Sequence, residues 1–320
     1  MIAAPAYTFA DPRIAESSSL VSTPSGDWLW TANDSGDSAR VFAVGPDGRT
    51  RTVATLPATK VTDVEDMALG PDRTLYLADT GDNRATRADV TVLRVPEPPV
   101  GAAAVRTAPP VRTTLTYEDG PHDAETLLVQ PRTGQLLVVT KSVFGSSVYA
   151  APQPLADGVL RRVATVPVRD TGTEGGPSPQ FAARLLTTGG SVSPDGRRLV
   201  VRTYTDAYVY DVPGDDLVAA FRGRPQVVPL PATQQGEAVT WSRDGTALLT
   251  SSEGVHAPVH RVPVPASAAS STPGTPAATA PPTAARAPDP RPERRRRLAV
   301  LAVGVALVLG TAAAVARRRR

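Results

Sequence analysis

Residues 61–83 read Val-Thr-Asp-Val-Glu-Asp-Met-Ala-Leu-Gly-Pro-Asp-Arg-Thr-Leu-Tyr-Leu-Ala-Asp-Thr-Gly-Asp-Asn, and their pattern decides the fold. Glu65 leads into a short apolar run at 67–69, and Gly70-Pro71-Asp72-Arg73 turns the chain back. A second run, 74–78, then ends in the carboxylates Asp79 and Asp82. Two strands and a tight turn cannot bury their own apolar face, so such a unit must stack beside copies of itself.

The copies are present. The first runs from Glu16 through Ser19-Leu20-Val21, the turn Pro24-Ser25-Gly26 and the run 28–30 to Asn33-Asp34-Ser35-Gly36-Asp37. The third runs from Glu125 through the turn Pro131-Arg132-Thr133-Gly134 and the run 136–139 to Thr140-Lys141. In the fourth, Gly190-Ser191 stands at the expected acid, before Ser193-Pro194-Asp195-Gly196, the run 198–201 and Arg202-Thr203. The fifth runs from Glu237 through Ser242-Arg243-Asp244-Gly245 and the run 247–249 to Ser252-Glu253-Gly254. Starts at 16, 65, 125, 190 and 237 are 49, 60, 65 and 47 residues apart, the spacing of four-stranded propeller blades carrying loop insertions.

The expected fold is therefore an all-β propeller of five blades, six being the runner-up, over residues 6–265. Further strands are expected at 41–44, 50–56, 90–95, 112–117, 147–150, 160–166, 207–211 and 226–229, with a short helix near 215–221. The fifth copy supplies only three strands, at 238–241, 247–251 and 259–264, so Tyr7-Thr8-Phe9 is expected to complete its sheet. Residues 169–186 form a long insertion containing Gly and Pro, and long loops in compact domains tend to carry function.

From Pro265 the composition shifts to Ala, Pro, Ser and Thr, which reads as a disordered stalk, 266–297, ending in the run Arg294-Arg295-Arg296-Arg297. Residues 298–316 carry no charge; at about 1.5 Å rise each they span roughly 28 Å, close to a bilayer core of about 30 Å. A basic tail, 317–320, follows. Arginines flank both ends of the segment and do not choose an orientation. The stalk favours an extracellular domain on a single-pass cell-membrane protein; a tail-anchored protein with a cytoplasmic domain is the alternative. Residues 1–6 lack an apolar leader core, although Ala4-Pro5-Ala6 resembles a leader cleavage site, so both readings of the N-terminus stay open.

Net charge is +3, but the ten Arg after residue 265 face only Asp289 and Glu293, leaving 24 basic against 29 acidic side chains, or −5, in residues 1–265. An acidic domain offers no surface for nucleic-acid phosphates. The absence of cysteine excludes disulfides, thiolate metal sites and cysteine nucleophiles.

The turns Gly45-Pro46-Asp47-Gly48, Gly70-Pro71-Asp72-Arg73 and Ser193-Pro194-Asp195-Gly196 resemble those of WD40-like, NHL-like and periplasmic translocation-type β-propellers. Asp63-Val64-Glu65-Asp66, Asp79-Thr80-Gly81-Asp82-Asn83, Asp123-Ala124-Glu125 and Gly236-Glu237-Ala238 are similar to the corresponding segments of membrane-anchored actinobacterial propellers described as WD40-like or phytase-like. That resemblance implies a propeller over about residues 7–264 and no defined reaction.

In a propeller, the loops that enter the first strand and leave the second of each blade share one face. Glu16, Glu65, Glu125 and Glu237 are expected to gather there, joined by Asp34, Asp79, Lys141, Arg202 and Glu253. Crowded carboxylates need protons, basic partners or a hard cation with oxygen ligands. Asp34-Ser35-Gly36-Asp37 and Asp79-Thr80-Gly81-Asp82 place paired acids around a glycine, so Asp34, Asp37, Asp79 and Asp82 are candidate calcium ligands; ordinary turn hydrogen bonding is the competing reading. His122, next to Asp123, is a candidate base or ligand. Lys141 and Arg202 are candidates to hold an anion, with pairing to glutamates as the alternative. No Gly-x-Ser-x-Gly elbow, His-Glu-x-x-His helix or phosphate loop occurs. The favoured function is a surface module that binds an extracellular ligand or protein; the alternative is a metal-dependent hydrolase of phosphate or other esters.

Overall fold

Tight turns set the strand pattern. Gly134, Gly196 and Gly245 sit at φ of 71°, 67° and 66°, so these turns use the left-handed backbone open to glycine, while the turn after Leu69 places Asp72 and Arg73 there, both at 54°. The computed structural model describes residues 5–265. The stalk, the apolar segment and the basic tail lie outside them. No helix among the described residues is long and apolar enough to cross a membrane.

The strands, in chain order, are β1 (Pro5–Thr8); β2 (Val21–Ser22), β3 (Leu29–Thr31), β4 (Arg40–Val44) and β5 (Thr50–Thr55); β6 (Val64–Leu69), β7 (Thr74–Asp79), β8 (Val90–Pro96), β9 (Ala104–Arg106) and β10 (Val111–Tyr117). They continue as β11 (Ala124–Val129), β12 (Leu136–Thr140), β13 (Ser146–Ala150) and β14 (Gly158–Val166); β15 (Thr187–Val192), β16 (Arg198–Thr203), β17 (Asp206–Asp211) and β18 (Gln226–Pro229); and β19 (Val239–Trp241), β20 (Ala247–Thr250) and β21 (Pro258–Pro263). Successive neighbours pair as antiparallel meanders.

Four sheets result, of four, five, eight and four strands. The eight-stranded sheet is two meanders joined where β10 runs parallel to β14, with Leu115 opposite Gly158. The sequence pattern gives no sign of β9, which lies in the connection between β8 and β10 and adds a parallel edge to β5. The insertion holds a one-turn helix, α1 (Gln180–Ala183). The expected helix near 215–221 is α2 (Leu217–Ala220), whose first N–H groups, from Val218 and Ala219, bond to the Asp216 carboxylate.

Five apolar clusters lie between neighbouring meanders. Trp30 and Met67 share one, Tyr76 and Leu127 the next, Val139 and Tyr208 the third, and Val200 and Trp241 the fourth. In the fifth, Phe9, Ile14 and Val259 pack on Leu20 and Phe42, so the last meander meets the first. β1 pairs antiparallel with β21, Tyr7 opposite Val259, as expected from the missing strand. Burying Phe9 completely contributes about 1.5–3 kcal/mol toward holding that segment. Gly48 is required for the same closure, since a Cβ there would lie 1.9 Å from the Thr8 carbonyl oxygen. The first strands β2, β6, β11, β15 and β19 pack around a common axis.

Candidate functional site

The register along the axis decides which acids meet. Counting four residues back from the last pair before each turn (Ser22, Leu69, Val129, Val192 and Trp241) lands on Ser18, Glu65, Glu125, Thr188 and Glu237. The ladders of β6, β11 and β15 slip by one residue at Glu65, Glu125 and Thr188, so each sits on a bulge. Two expectations change. The gap in the acidic ring falls at Thr188, not at Gly190-Ser191. Glu16 is level with Asp63 and Asp123, two residues before the glutamate positions, and stands exposed in an isolated bridge with Glu253.

Where a hydroxyl replaces the acid, it ties strands together: Ser18 Oγ donates to the Val64 carbonyl at 2.9 Å and Thr188 Oγ1 to that of Gly236 at 3.1 Å. Where glutamate is kept, it is buried: Glu65 and Glu125 are 3% exposed and Glu237 4%. Seven carboxylates gather into three groups whose oxygens lie within 4.8 Å of one another: Asp34, Asp63 and Glu65; Asp34, Glu237 and Glu253; Glu65, Asp123 and Glu125. Gly81 lies against this cluster, where a Cβ would come within 2.2 Å of Glu65 Oε1 and 2.4 Å of Asp63 Oδ2.

Burial is the main cause of the shifted acidities. It raises Glu65 and Glu237 well above the usual carboxylate range, with neighbouring carboxylates adding to the shift. Burial takes Asp63 to about 8, with help from its hydrogen bond to Asp34. Glu125 also reaches about 8 through burial, although its Lys141 partner pulls the other way. Glu16 and Glu253 are raised too, by desolvation first. Lys141 pairs with Glu125, bonds through its backbone N–H to the Asp123 carbonyl at 2.9 Å, and lies 5.2 Å from the Tyr204 ring centre. Burial lowers the Lys141 ammonium, but Glu125 and the other surrounding groups outweigh it and keep it charged.

Other expected site residues stand apart from these groups. Arg202 is 1% exposed and points its guanidinium at the carbonyls of Ala238 (2.7 Å), Thr203 (3.1 Å), Ser251 (3.2 Å) and Tyr204 (3.3 Å). Its pKa falls to about 10 through burial. Asp37 accepts from Asn33 Nδ2 at 2.8 Å and Arg40 Nε at 2.9 Å. Asp79 accepts from Asp63 N at 3.0 Å and Arg87 Nη1 at 3.0 Å. Asp82 accepts from the backbone N–H groups of Thr86 (2.6 Å) and Arg87 (2.7 Å). Of the four candidate calcium ligands, only Asp34 joins the converging groups. His122 lies 2.9 Å from Asp119 Oδ1 and 2.9 Å from the Tyr149 hydroxyl, in a separate aromatic cluster with Tyr117.

Residues not singled out from sequence include Asp63 and Asp123; the repeated Asp-x-Glu at 63–65 and 123–125 was the available signal. Asp66 was also missed. It is fully buried and accepts N–H groups from Met67 (2.8 Å), Leu127 (2.8 Å) and Gly190 (3.1 Å), joining three first strands across the axis.

No protein-family model matches the chain, and no curated protein matches it. Among solved structures the chain is similar to a gluconolactonase from Xanthomonas campestris, with a TM-score of 0.44 and 15% identity, covering 82% of this chain and 89% of that one. It is also similar to the RRP9 WD40 repeats, at a TM-score of 0.43 and 10% identity, covering 80% and 96%. The β-propeller domain of Cps50 (Swd1) from Myceliophteria thermophila gives 0.38 and 15%, covering 77% and 72%. The likeness is one of fold: an all-β chain with β-propeller neighbours.

Proposed function

We propose that this chain is a five-bladed propeller held at the cell surface by residues 298–316, and that it is a binding module whose acidic mouth takes a divalent cation, calcium in the first place. The observation that carries this reading is a pair of buried carboxylate oxygens, Glu125 Oε2 and Glu237 Oε2, with no hydrogen-bond partner inside a cluster of seven acids. Orphaned buried oxygens are costly, and calcium, which takes 6–8 oxygens at about 2.3–2.6 Å, supplies what they lack. Two ligand oxygens on one calcium are at most about 5 Å apart, which suits the observed grouping.

Binding is favoured over ester hydrolysis because the expected anion clamp is otherwise engaged: Arg202 on backbone carbonyls, Lys141 on Glu125. Exposed Phe144 and Val255 sit on the loops after β12 and β20, and exposed Phe181 sits on α1 before β15, which gives a ligand or partner apolar surface beside the acids. The test is thermal unfolding of the detergent-solubilised full chain with and without calcium. At a hundredfold excess over Kd the stabilisation is about 2.7 kcal/mol. No rise with calcium or magnesium would remove the cation from the reading. Surface display is tested separately by protease on intact cells, which is expected to release a soluble propeller by cutting within 266–293; protection until lysis would favour the tail-anchored alternative.

A further inference from the structure

The three acidic groups are not equivalent. The group Asp34, Glu237 and Glu253 shares no residue with the group Glu65, Asp123 and Glu125; the third, Asp34, Asp63 and Glu65, borrows one acid from each and links them. The mouth therefore contains two separate places where three carboxylates converge.

Only one of them is directly ion-paired to a basic side chain among the described residues, although the Lys141 ammonium also acts on Glu237 and Glu253 from beyond ion-pair distance. Lys141 pairs with Glu125, is tied by its backbone to Asp123, and is backed by the Tyr204 ring. Its side chain is only 13% exposed, so the ammonium is held inside the cluster. Among the described residues, no ion pair reaches Asp34, Glu237 or Glu253. Arg202, a second buried basic side chain influenced by Glu237, donates to four carbonyls instead. On that side two buried oxygens lack partners among the described residues, Glu237 Oε2 and Gln235 Oε1, although both side chains also hydrogen-bond Glu253; on the Lys141 side Glu125 Oε2 lacks one.

We infer that the mouth is built for two cations and supplies one itself: the Lys141 ammonium fills the Glu65/Asp123/Glu125 place, and a divalent metal ion binds at Asp34, Glu237 and Glu253 with Gln235 beside them. This rests on the cation reading above and adds where the ion sits, how many bind and why. A flexible side chain in place of a metal ion keeps one half of the mouth neutralised when metal is scarce. The other half responds to the free metal concentration. Asp34, hydrogen-bonded to Asp63, lies between the two places and would feel both.

The experiment is calcium titration by calorimetry of the detergent-solubilised full chain, repeated with magnesium, in wild type and in Lys141→Met. One ion per wild-type chain and two per Lys141→Met chain is the expected result. In the wild-type background, Glu237→Gln should weaken binding about tenfold or more, and Glu125→Gln by less than about threefold. No ion in wild type with either metal would overturn the cation reading together with this inference. Two ions in wild type, or one in a folded Lys141→Met, would leave the cation reading standing and remove the role given to Lys141. Should Lys141→Met fail to fold, the order of the two glutamine variants decides, and a larger loss from Glu125→Gln overturns the assignment.

Discussion

The two ends of the axis use the same residue types to opposite effect. At the turn end, Asp244 accepts from the Ser242 hydroxyl and the Thr246 N–H, and its pKa falls to about 2. Asp195 is lowered as well, since its bonds to Ser193 and Arg197 outweigh a desolvation that would raise it. The cavity beside these turns, about 340 Å³, is lined by Val21, Leu69, Val129 and Val192 together with polar side chains such as Arg73 and Arg243. At the mouth, burial raises Asp63 and Glu125 to about 8. An acid in a turn faces water and local donors; the acids at the mouth face one another. Acidity is thus set by what each carboxylate faces, local donors in the turns and other carboxylates in the buried cluster, and the mouth is the end where folding leaves electrostatic work undone.

Asp66, in the first strand between the two ends, should give the largest effect when changed. Asp66→Ala strands three buried N–H donors, each costing about 1–3 kcal/mol, so a loss of at least about 3 kcal/mol is expected in urea unfolding. Asp66→Asn, which keeps one acceptor oxygen, should lose less. Equal stability of Asp66→Ala and wild type would show that the two ends are not joined through this residue.

Next in size is the response to calcium and pH, which tests the contrast directly. Asp63, Glu65, Glu125 and Glu237 hold protons in the folded chain that the unfolded chain, with carboxylates near about 4, has already released. Their stabilising contribution is complete below about pH 4 and lost as pH rises toward about 8, where Asp63 and Glu125 titrate. In chelator, the melting temperature should therefore fall between pH 5 and pH 8. Calcium at a hundredfold excess should restore roughly 5–10 °C at pH 8 and much less at pH 5. A melting temperature flat across this range would mean that Lys141 and local solvation already neutralise the mouth.

Gly81→Ala follows, at about 1–3 kcal/mol, because its methyl group would press on Glu65 and Asp63. The variant should also weaken calcium binding in the same calorimetric titration. Wild-type stability and affinity together would mean that the loop after β7 yields freely and does not shape the cluster.

The turn end was the legible one. Asp-Gly turns, alternating strands and the missing strand that β1 provides are local patterns, and most fall within a residue or two of their expected places, although β6 begins three residues before the expected run at 67–69. The mouth was legible only in part. Glu65, Glu125 and Glu237 keep one spacing to their turns, but the first repeat carries two extra residues, which made Glu16 look equivalent when Ser18 holds that position. Asp37, Asp79 and Asp82 read like Asp34 in sequence, yet nearby donors, including Arg40, Arg87 and the N–H of Thr86, take up their oxygens. Convergence across the axis, as between Asp66 and Gly190, is a long-range contact that no single repeat encodes.

The smallest effect is expected at Asp244, and its smallness is informative. Its carboxylate is 58% exposed and paired with Arg261 at 3.2 Å, a geometry that solvent screens strongly. Because its folded pKa is depressed, to about 2, any stability it adds is present above about pH 4 and lost as pH falls through about 2, the reverse of the mouth. Asp244→Asn should therefore change stability by no more than about 0.5 kcal/mol at pH 7, leave the number of calcium ions bound unchanged, and remove a small part of the acid-side slope in unfolding measured from pH 4 to pH 2. A loss of calcium binding in this variant would mean that the two ends communicate along the strands, and the separation on which the mouth's assignment depends would fail.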